Sequence, residues 1–406
     1  MASDKNIKNT QKRKQKMKAL KIVPEISYFD TFKEFAENFN LGKGDILVTN
    51  KWLFEPLVQP CVPDIQVVYQ EKYGAGEPTD EMMDAMKAAM DEYAYDRVIG
   101  FGGGTIMDCC KVLSCNVPGK VADLYTGKVQ PVREKELILV PTTCGTGSEV
   151  TNVAVAAIPS MDLKKGIADP ELYADHAVLI PESLAGLPDM VFSASSVDAL
   201  IHAAEAYVSP FASDYTDILA VRAIEMITRA YMTIAHRGGN SRDNRADLLK
   251  DFSLASNLAG IAFGNAGVGA VHALSYAVGG AFHTSHGESN FVCFTEVFKT
   301  YKVKQAELKG TDSPAGYTFG ADGDKLTALE KLFAGILGCG QDQVYNELDK
   351  LLENFISKYP LRDKGMTEEQ IGSFAKNTIE NQQRLLVNNY APLSEQDIAD
   401  IFARLY

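Results

Sequence analysis

Positive charge is what this chain is short of. Its 40 Lys and Arg face 53 Asp and Glu, a formal net charge of −13 over 406 residues. A protein that neutralises a phosphate backbone needs a basic face, so nucleic acid is not an expected partner. A small anionic substrate stays open, because it needs only one or two local cations. Long apolar runs are missing too. Nothing approaches the roughly 18 consecutive apolar residues of a transmembrane helix, so no membrane partner is expected. The seven cysteines (Cys61, Cys109, Cys110, Cys115, Cys144, Cys293, Cys339) are odd in number and lack zinc-site spacing. The opening MASDKNIKNTQKRKQK has no apolar core of a secretion signal. Reduced thiols in a cytoplasm are therefore expected, with residues 1–16 as a disordered or non-native leader and a fold beginning near Met17.

An apolar fraction of 46% and a charged fraction of 23% are those of a soluble globular chain, and the length predicts two domains. Short apolar runs at Ile46–Asn50, Ile65–Tyr69, Arg97–Phe101, Leu137–Pro141 and Ala177–Ile180 read as buried strands. Between several of them lie helical patterns such as Asp80–Tyr93, with acids in the first turn. Alternating strand and helix predicts an α/β domain over residues 17–188, a parallel sheet covered on both faces, although such a fold alone assigns no chemistry. After Leu187-Pro188 the pattern becomes all helical. Helices are predicted near 192–208, 214–236, 243–262, 267–281, 288–303, 324–337, 341–358, 367–388 and 395–405, forming an all-helical domain over 189–406. Ser213 or Asp214 can cap one helix, and Thr367 with Gln370 has the form of a capping box.

Histidine is scarce, at six, yet His272, His283 and His286 fall within fifteen positions of the glycine-rich stretch Gly264–Asn290. A fourth, His202, follows Asp198 by four, which on a helix puts carboxylate and imidazole on one face. Any one of these alone reads more readily as a hydrogen-bonded core histidine than as a ligand. Together, Asp198, His202, His272 and His286 read as one oxygen and three nitrogen donors for a divalent metal.

Two loops complete the pattern. RVIGFGGGTIMDCCK sets Gly102, Gly103 and Gly104 between a strand and a helix, where backbone N–H groups can approach a pyrophosphate. A tight turn alone is the competing reading. VPTTCGTGSEVTN ends a strand in Thr142, Thr143, Gly145, Thr146, Gly147 and Ser148, which suits a ligand at the carboxyl edge of a parallel sheet or, more simply, a capped turn.

The ordered set of GGGT with Asp108 and Lys111, PTTCGTGSEVT, Asp198-x-x-x-His202, and His272 fourteen before His286-Gly287 resembles the iron-containing (group III) alcohol dehydrogenase family. The resemblance covers nearly the whole chain from Met17 and implies a Rossmann-like dinucleotide-binding α/β domain over 17–188 followed by an all-helical metal-binding and catalytic domain over 189–406. SSVDALIHAAEAYVSP, AGIAFGNAGVGAVHALSY, HGESN and QQRLLVNNY resemble the branch that interconverts 4-hydroxybutyrate and succinate semialdehyde. By resemblance, Asp198, His202, His272 and His286 hold the metal, Fe(II) or alternatively Zn(II). Gly102, Gly103, Gly104 and Thr105 hold the pyrophosphate of NAD, and Thr142, Thr143, Thr146, Thr151 and Lys165 line the rest of the dinucleotide site. Two positions depart from the family pattern. Tyr276 stands where many members have a second histidine four after the third ligand. Asn50, at the end of a strand, stands where many have an acid for the adenosine ribose, so the expectation of NAD over NADP is modest.

The resemblance implies hydride transfer between a small hydroxy acid and a nicotinamide, with a divalent metal polarising the reacting oxygen. His283 is the expected proton relay, with Tyr276 second; a supporting role for His283 beside the ligands is the alternative. The distal carboxylate of the substrate needs a cation or donors, for which Asn265, Lys165 and backbone amides are candidates. Alternatives are a 1,3-propanediol, lactaldehyde or simple primary alcohol dehydrogenase of the same family, a 3-dehydroquinate synthase type enzyme, and a binding protein without catalysis. The expected partners are a small hydroxy acid or aldehyde and a second copy of the chain, as a dimer.

Overall fold

The computed structural model describes residues 19–161 and 163–406; the leader expected at 1–16 and the start of the fold at Met17 lie outside the described residues. All five predicted strands form: β2 (Asp45–Thr49), β3 (Gln66–Tyr69), β4 (Arg97–Gly102), β5 (Glu136–Pro141) and β8 (His176–Leu179). With β1 (Glu25–Tyr28) they make a six-stranded parallel sheet of order β1-β8-β5-β4-β2-β3. Their runs are nearly all apolar because both faces are covered. Ile46, Val48, Val98, Leu137 and Leu139 face one layer, with α2 (Asp80–Met90) and α3 (Gly104–Leu113). Leu47, Ile99, Phe101, Ile138 and Val140 face the other, where α1 (Phe32–Asn38) packs Phe32 and Phe35.

Three strands go beyond the expectation. β1 is an edge strand held by backbone pairing to β8, with Ile26 still 40% exposed, so its four residues carry no alternation to read. An antiparallel hairpin, β6 (Val153–Ile158) and β7 (Leu163–Ala168), stands apart from the main sheet. The alanines of VAVAAI fit a helix as readily as a strand, which hides it from pattern reading.

From Asp189 onward the described elements are helices: α4 (Asp189–Val208), α5 (Asp214–His236), α6 (Leu249–Ala266), α7 (Ala270–Phe282), α8 (His286–Glu307), α9 (Lys325–Leu337), α10 (Val344–Leu352), α11 (Glu368–Asn381) and α12 (Glu395–Leu405), with short turns between. Ser213 caps α5, and the Thr367–Gln370 capping box begins α11. α4 starts at Asp189, ahead of the predicted 192, because Pro188 sets the entry and the acid suits the first turn. The predicted 243–262 helix divides into Arg242–Arg245 and α6, which runs on to Ala266 and stops at Gly267 (φ 81°). The predicted 341–358 helix closes at Leu352, and the predicted 367–388 helix breaks at Gln382. Among the described residues, no single helix is long and apolar enough to cross a membrane. Fourteen of the 20 residues of α4 are buried as it packs against α5, α6 and α8.

Candidate metal centre

α4 places Asp198, His202 and Glu205 at i, i+4 and i+7, one stripe of a helix. α6 and α7 meet at 105° across a glycine turn, and this swings His272 toward that stripe. The turn has no room for larger residues: a Cβ on Gly269 would stand 2.8 Å from Asn389 Oδ1 and 3.3 Å from Glu205 Oε1. His286 is the first residue of α8, directly before Gly287. A Cβ on Gly287 would stand 1.9 Å from the Ala194 carbonyl oxygen, so the start of α8 lies against the α4 backbone.

The four predicted donors converge. One donor atom from each of Asp198, His202, His272 and His286 lies within 4.8 Å of all the others. His272 Nε2 is 3.6 Å and His286 Nε2 3.7 Å from Asp198 Oδ1, and His202 Nδ1 is 3.9 Å from Asp198 Oδ2. Asp198, His202 and His272 are buried, while the His286 side chain keeps 37% exposure and opens the cluster to one side. The His202 ring is stacked between Phe263 at 4.2 Å and His272 at 4.6 Å.

Three further contacts fix how the donors point. His272 Nδ1 donates to Glu205 Oε2 at 2.5 Å, and Glu205 Oε1 accepts from the Val271 amide at 2.7 Å. This turns His272 Nε2 into the cluster, where it is buried without a hydrogen-bond partner. His202 Nδ1 donates to the Gly145 carbonyl at 3.2 Å, and Asn290 Nδ2 donates to Asp198 Oδ1 at 2.7 Å. Partners of this kind orient metal-bound imidazoles and carboxylates. Neither Glu205 nor Asn290 was picked out from the sequence, although Glu205 shares the Asp198 and His202 stripe and Asn290 follows His286 by one turn.

The electrostatics are those of a site built for a cation. Burial pushes His202 down to about 3 despite the Asp198 carboxylate. Burial also acts to lower His272, but the nearby Asp198 and Glu205 carboxylates outweigh it and hold the ring up at about 9. Burial would raise Asp198; the imidazoles of His202, His286 and His272 overcome it and hold the carboxyl well below the usual range. Buried carboxylate and orphaned imidazole nitrogen together fit one divalent ion, and three nitrogens with one oxygen suit Fe(II) or Zn(II).

The two loops predicted from sequence lie side by side. Gly102 pairs with Pro141 across β4 and β5, and the Thr142 amide donates to the Gly102 carbonyl at 3.0 Å. A Cβ on Gly103 would touch Thr143 at 3.4 Å, and one on Gly104 would touch Thr146 at 3.0 Å. Gly103 caps α3 without a side chain, which leaves the first-turn amides without a capping acceptor. Thr105 Oγ1 donates to the Gly76 carbonyl at 2.8 Å, and Lys165 Nζ donates to the Tyr125 carbonyl at 2.8 Å. Thr151 is buried and accepts from Lys111 Nζ at 3.1 Å. Lys111, fully buried, also donates to Ser148 Oγ at 2.6 Å and the Val153 carbonyl at 2.8 Å. Asp108, 3.6 Å from Lys111, accepts from Ser148 Oγ and from the Val155 amide.

Asn50 lies at the tip of β2, where its Nδ2 donates to Glu71 Oε2 at 2.8 Å and to Gln70 Oε1 at 3.2 Å. The Lys51 amide donates to the other Glu71 oxygen at 2.8 Å. Of the two proton-relay candidates, the Tyr276 ring is 6.4 Å from that of His286. His283 is exposed in the left-handed cap of α7 (φ 53°).

A parallel nucleotide-type sheet followed by helices that enclose one carboxylate and three imidazoles defines a metal-dependent dehydrogenase. The chain belongs to the iron-containing alcohol dehydrogenase family. Residues 8–181 match the description Iron-containing alcohol dehydrogenase, and residues 192–406 match Fe-containing alcohol dehydrogenase family, C-terminal. It is 49% identical over 390 residues to 4-hydroxybutyrate dehydrogenase of Clostridium kluyveri, covering 96% of this chain and 100% of that protein. It is 35% identical to Long-chain-alcohol dehydrogenase 1 of Geobacillus thermodenitrificans, over 80% of this chain and 79% of the relative. Among solved structures, a 1,3-propanediol oxidoreductase superposes with a TM-score of 0.79 at 23% identity, covering 96% and 100% of the two chains. Sulfoacetaldehyde reductase from Bifidobacterium kashiwanohense in complex with NAD+ superposes at 0.77 with 20% identity, covering 95% and 98%. At such identities these two structures speak for the fold alone.

Proposed function

We propose that this chain interconverts 4-hydroxybutyrate and succinate semialdehyde with NAD, using Fe(II) held by Asp198, His202, His272 and His286. The observation that carries the substrate is the full-length 49% identity to the Clostridium kluyveri 4-hydroxybutyrate dehydrogenase. When bound, the metal supplies Lewis acidity to the alcohol or aldehyde oxygen and the nicotinamide supplies or takes the hydride. Residues of the chain do the rest. Glu205 and the Gly145 carbonyl hold the tautomers of His272 and His202, and Asn290 clamps Asp198. The amides at the start of α3, at Gly103, Gly104 and Thr105, would hold the pyrophosphate. Thr142, Thr143 and Thr146 form the opposite wall, with Thr151 and Lys165 behind it. The division falls at Leu187-Pro188, with residues 17–188 serving the coenzyme and 189–406 the metal.

Tyr276, near His286, passes the proton, and exposed His283 is the outer station to solvent. Replacing His283 with Ala lowers kcat by roughly tenfold or more with iron retained; unchanged turnover removes His283 and leaves Tyr276 alone.

Glu71 favours NAD over NADP. With an amide at position 50, the negative charge at this edge of the sheet sits at the end of β3, and Asn50 and the Lys51 amide hold it over the tip of β2. A 2′-phosphate placed there meets a like charge. Glu71→Gln is expected to raise kcat/KM for NADPH relative to NADH about tenfold, the scale of one like-charge contact near a surface. A ratio that stays put assigns the preference elsewhere.

The whole reading is tested with purified, iron-loaded protein assayed on 4-hydroxybutyrate against butanol, with NAD and NADP in parallel. Equal activity on the two alcohols replaces it with a simple primary alcohol dehydrogenase.

A further inference from the structure

A four-carbon substrate with a carboxylate at its far end needs a positive group one substrate length from the metal ligands. Two sequence candidates are already engaged. Lys165 Nζ is spent on the Tyr125 carbonyl at 2.8 Å. Asn265 pairs with the Lys21 backbone, accepting from its amide at 2.6 Å and donating to its carbonyl at 3.0 Å.

We propose that Arg384 binds the carboxylate of a short ω-oxo acid whose aldehyde lies at the Asp198 and histidine cluster. This deepens the function proposed above and rests on it. Tyr276, one turn after His272 on α7, carries its ring 6.4 Å from that of His286. At its far end the Tyr276 hydroxyl accepts from Arg384 Nη2 at 3.4 Å. The path from cluster to guanidinium thus runs along one aromatic ring. An extended four-carbon oxo acid spans about 5 Å from its aldehyde oxygen to its carboxylate carbon, by ordinary bond lengths, and contacts at its two ends add roughly 2 Å to a metal and roughly 3 Å to a guanidinium nitrogen.

Charge singles out Arg384. Lys164 also reaches this place, its Nζ 5.2 Å from the Tyr276 ring centroid, but it is paired with Glu77 at 2.6 Å. Arg384 is exposed, and among the described residues no carboxylate lies within 4.0 Å of it. Its recorded side-chain partner is a neutral hydroxyl at a long distance, which a carboxylate outcompetes. The neighbouring wall carries no charge at this point: a Cβ on Gly166 of β7 would stand 3.5 Å from the Val153 and Val155 side chains and 3.8 Å from Arg384 Nη2. A planar guanidinium takes a carboxylate through two parallel N–H bonds, a geometry that Lys cannot reproduce. Tyr276, where many family members have histidine, is then a positioning residue for Arg384 as well.

The test compares succinate semialdehyde with butanal, aldehydes of equal length that differ by the carboxylate. In Arg384→Gln the ratio of kcat/KM for the two is expected to fall ten- to a hundredfold, mainly through KM, the scale of a lost charge-assisted contact. Arg384→Lys should restore part of it. An unchanged ratio in Arg384→Gln overturns the assignment while the proposed function stands. An equal loss on both aldehydes also overturns it, because that marks a structural role. Wild-type protein that reduces both equally well overturns the function, and this inference with it.

Discussion

Glu205→Ala is expected to lose iron affinity by ten- to a hundredfold, and activity in limiting iron in proportion, although Glu205 is not itself one of the four donors. The carboxylate does two things at once. It holds the Nδ1 proton of His272, which leaves Nε2 as the donor, and it accepts from the Val271 amide at the start of α7. Without it, the imidazole is free to rotate or to take the other tautomer. Iron retained against a graded chelator, with helical content followed by circular dichroism, checks the outcome. Added iron should restore part of the activity. Wild-type retention of iron in the variant would show that packing alone orients the ring.

Gly287→Ala is the second change with a large effect. The new methyl carbon would fall 1.9 Å from the Ala194 carbonyl oxygen and 2.6 Å from its carbon, both backbone atoms of a buried helix. Neither can step aside, so α8 must move away from α4 by more than an ångström, and His286 is its first residue. A displacement of about 1 Å at a reacting centre costs on the order of a hundredfold in rate. The expected result is a loss of at least that size in kcat/KM, with lower iron content and a melting temperature reduced by several degrees. Gly280→Ala is the control, since a Cβ there meets nothing within 4 Å. Equal behaviour of the two variants would remove the argument from close packing.

Much of the architecture was legible because burial on both faces of a parallel sheet leaves continuous apolar runs, and amphipathic helices repeat every 3.6 residues. Asp198 and His202 declared themselves by their spacing, and His272 and His286 by their neighbourhood. Glu205 was readable in principle from its place on the same stripe, yet a glutamate on a helix is ordinarily a solvated residue. Its burial depends on α7 arriving at that point, which no local pattern encodes. Glu71 and Arg384 are harder still, since each matters through a residue 21 or 108 positions away. The β6–β7 hairpin escaped because alanine-rich strands carry little β signal.

Asp108 and Lys111 entered only as letters of a resemblance, and the fold gives them mechanical work. One turn along the helix that begins at the glycine loop, they grip Ser148, Thr151, Val153 and Val155, the stem from which the hairpin springs. That hairpin ends in the wall beside Arg384. Helix, stem and hairpin are therefore tied together by one continuous set of hydrogen bonds, and the glycine loop and the residues beside Arg384 share a single support.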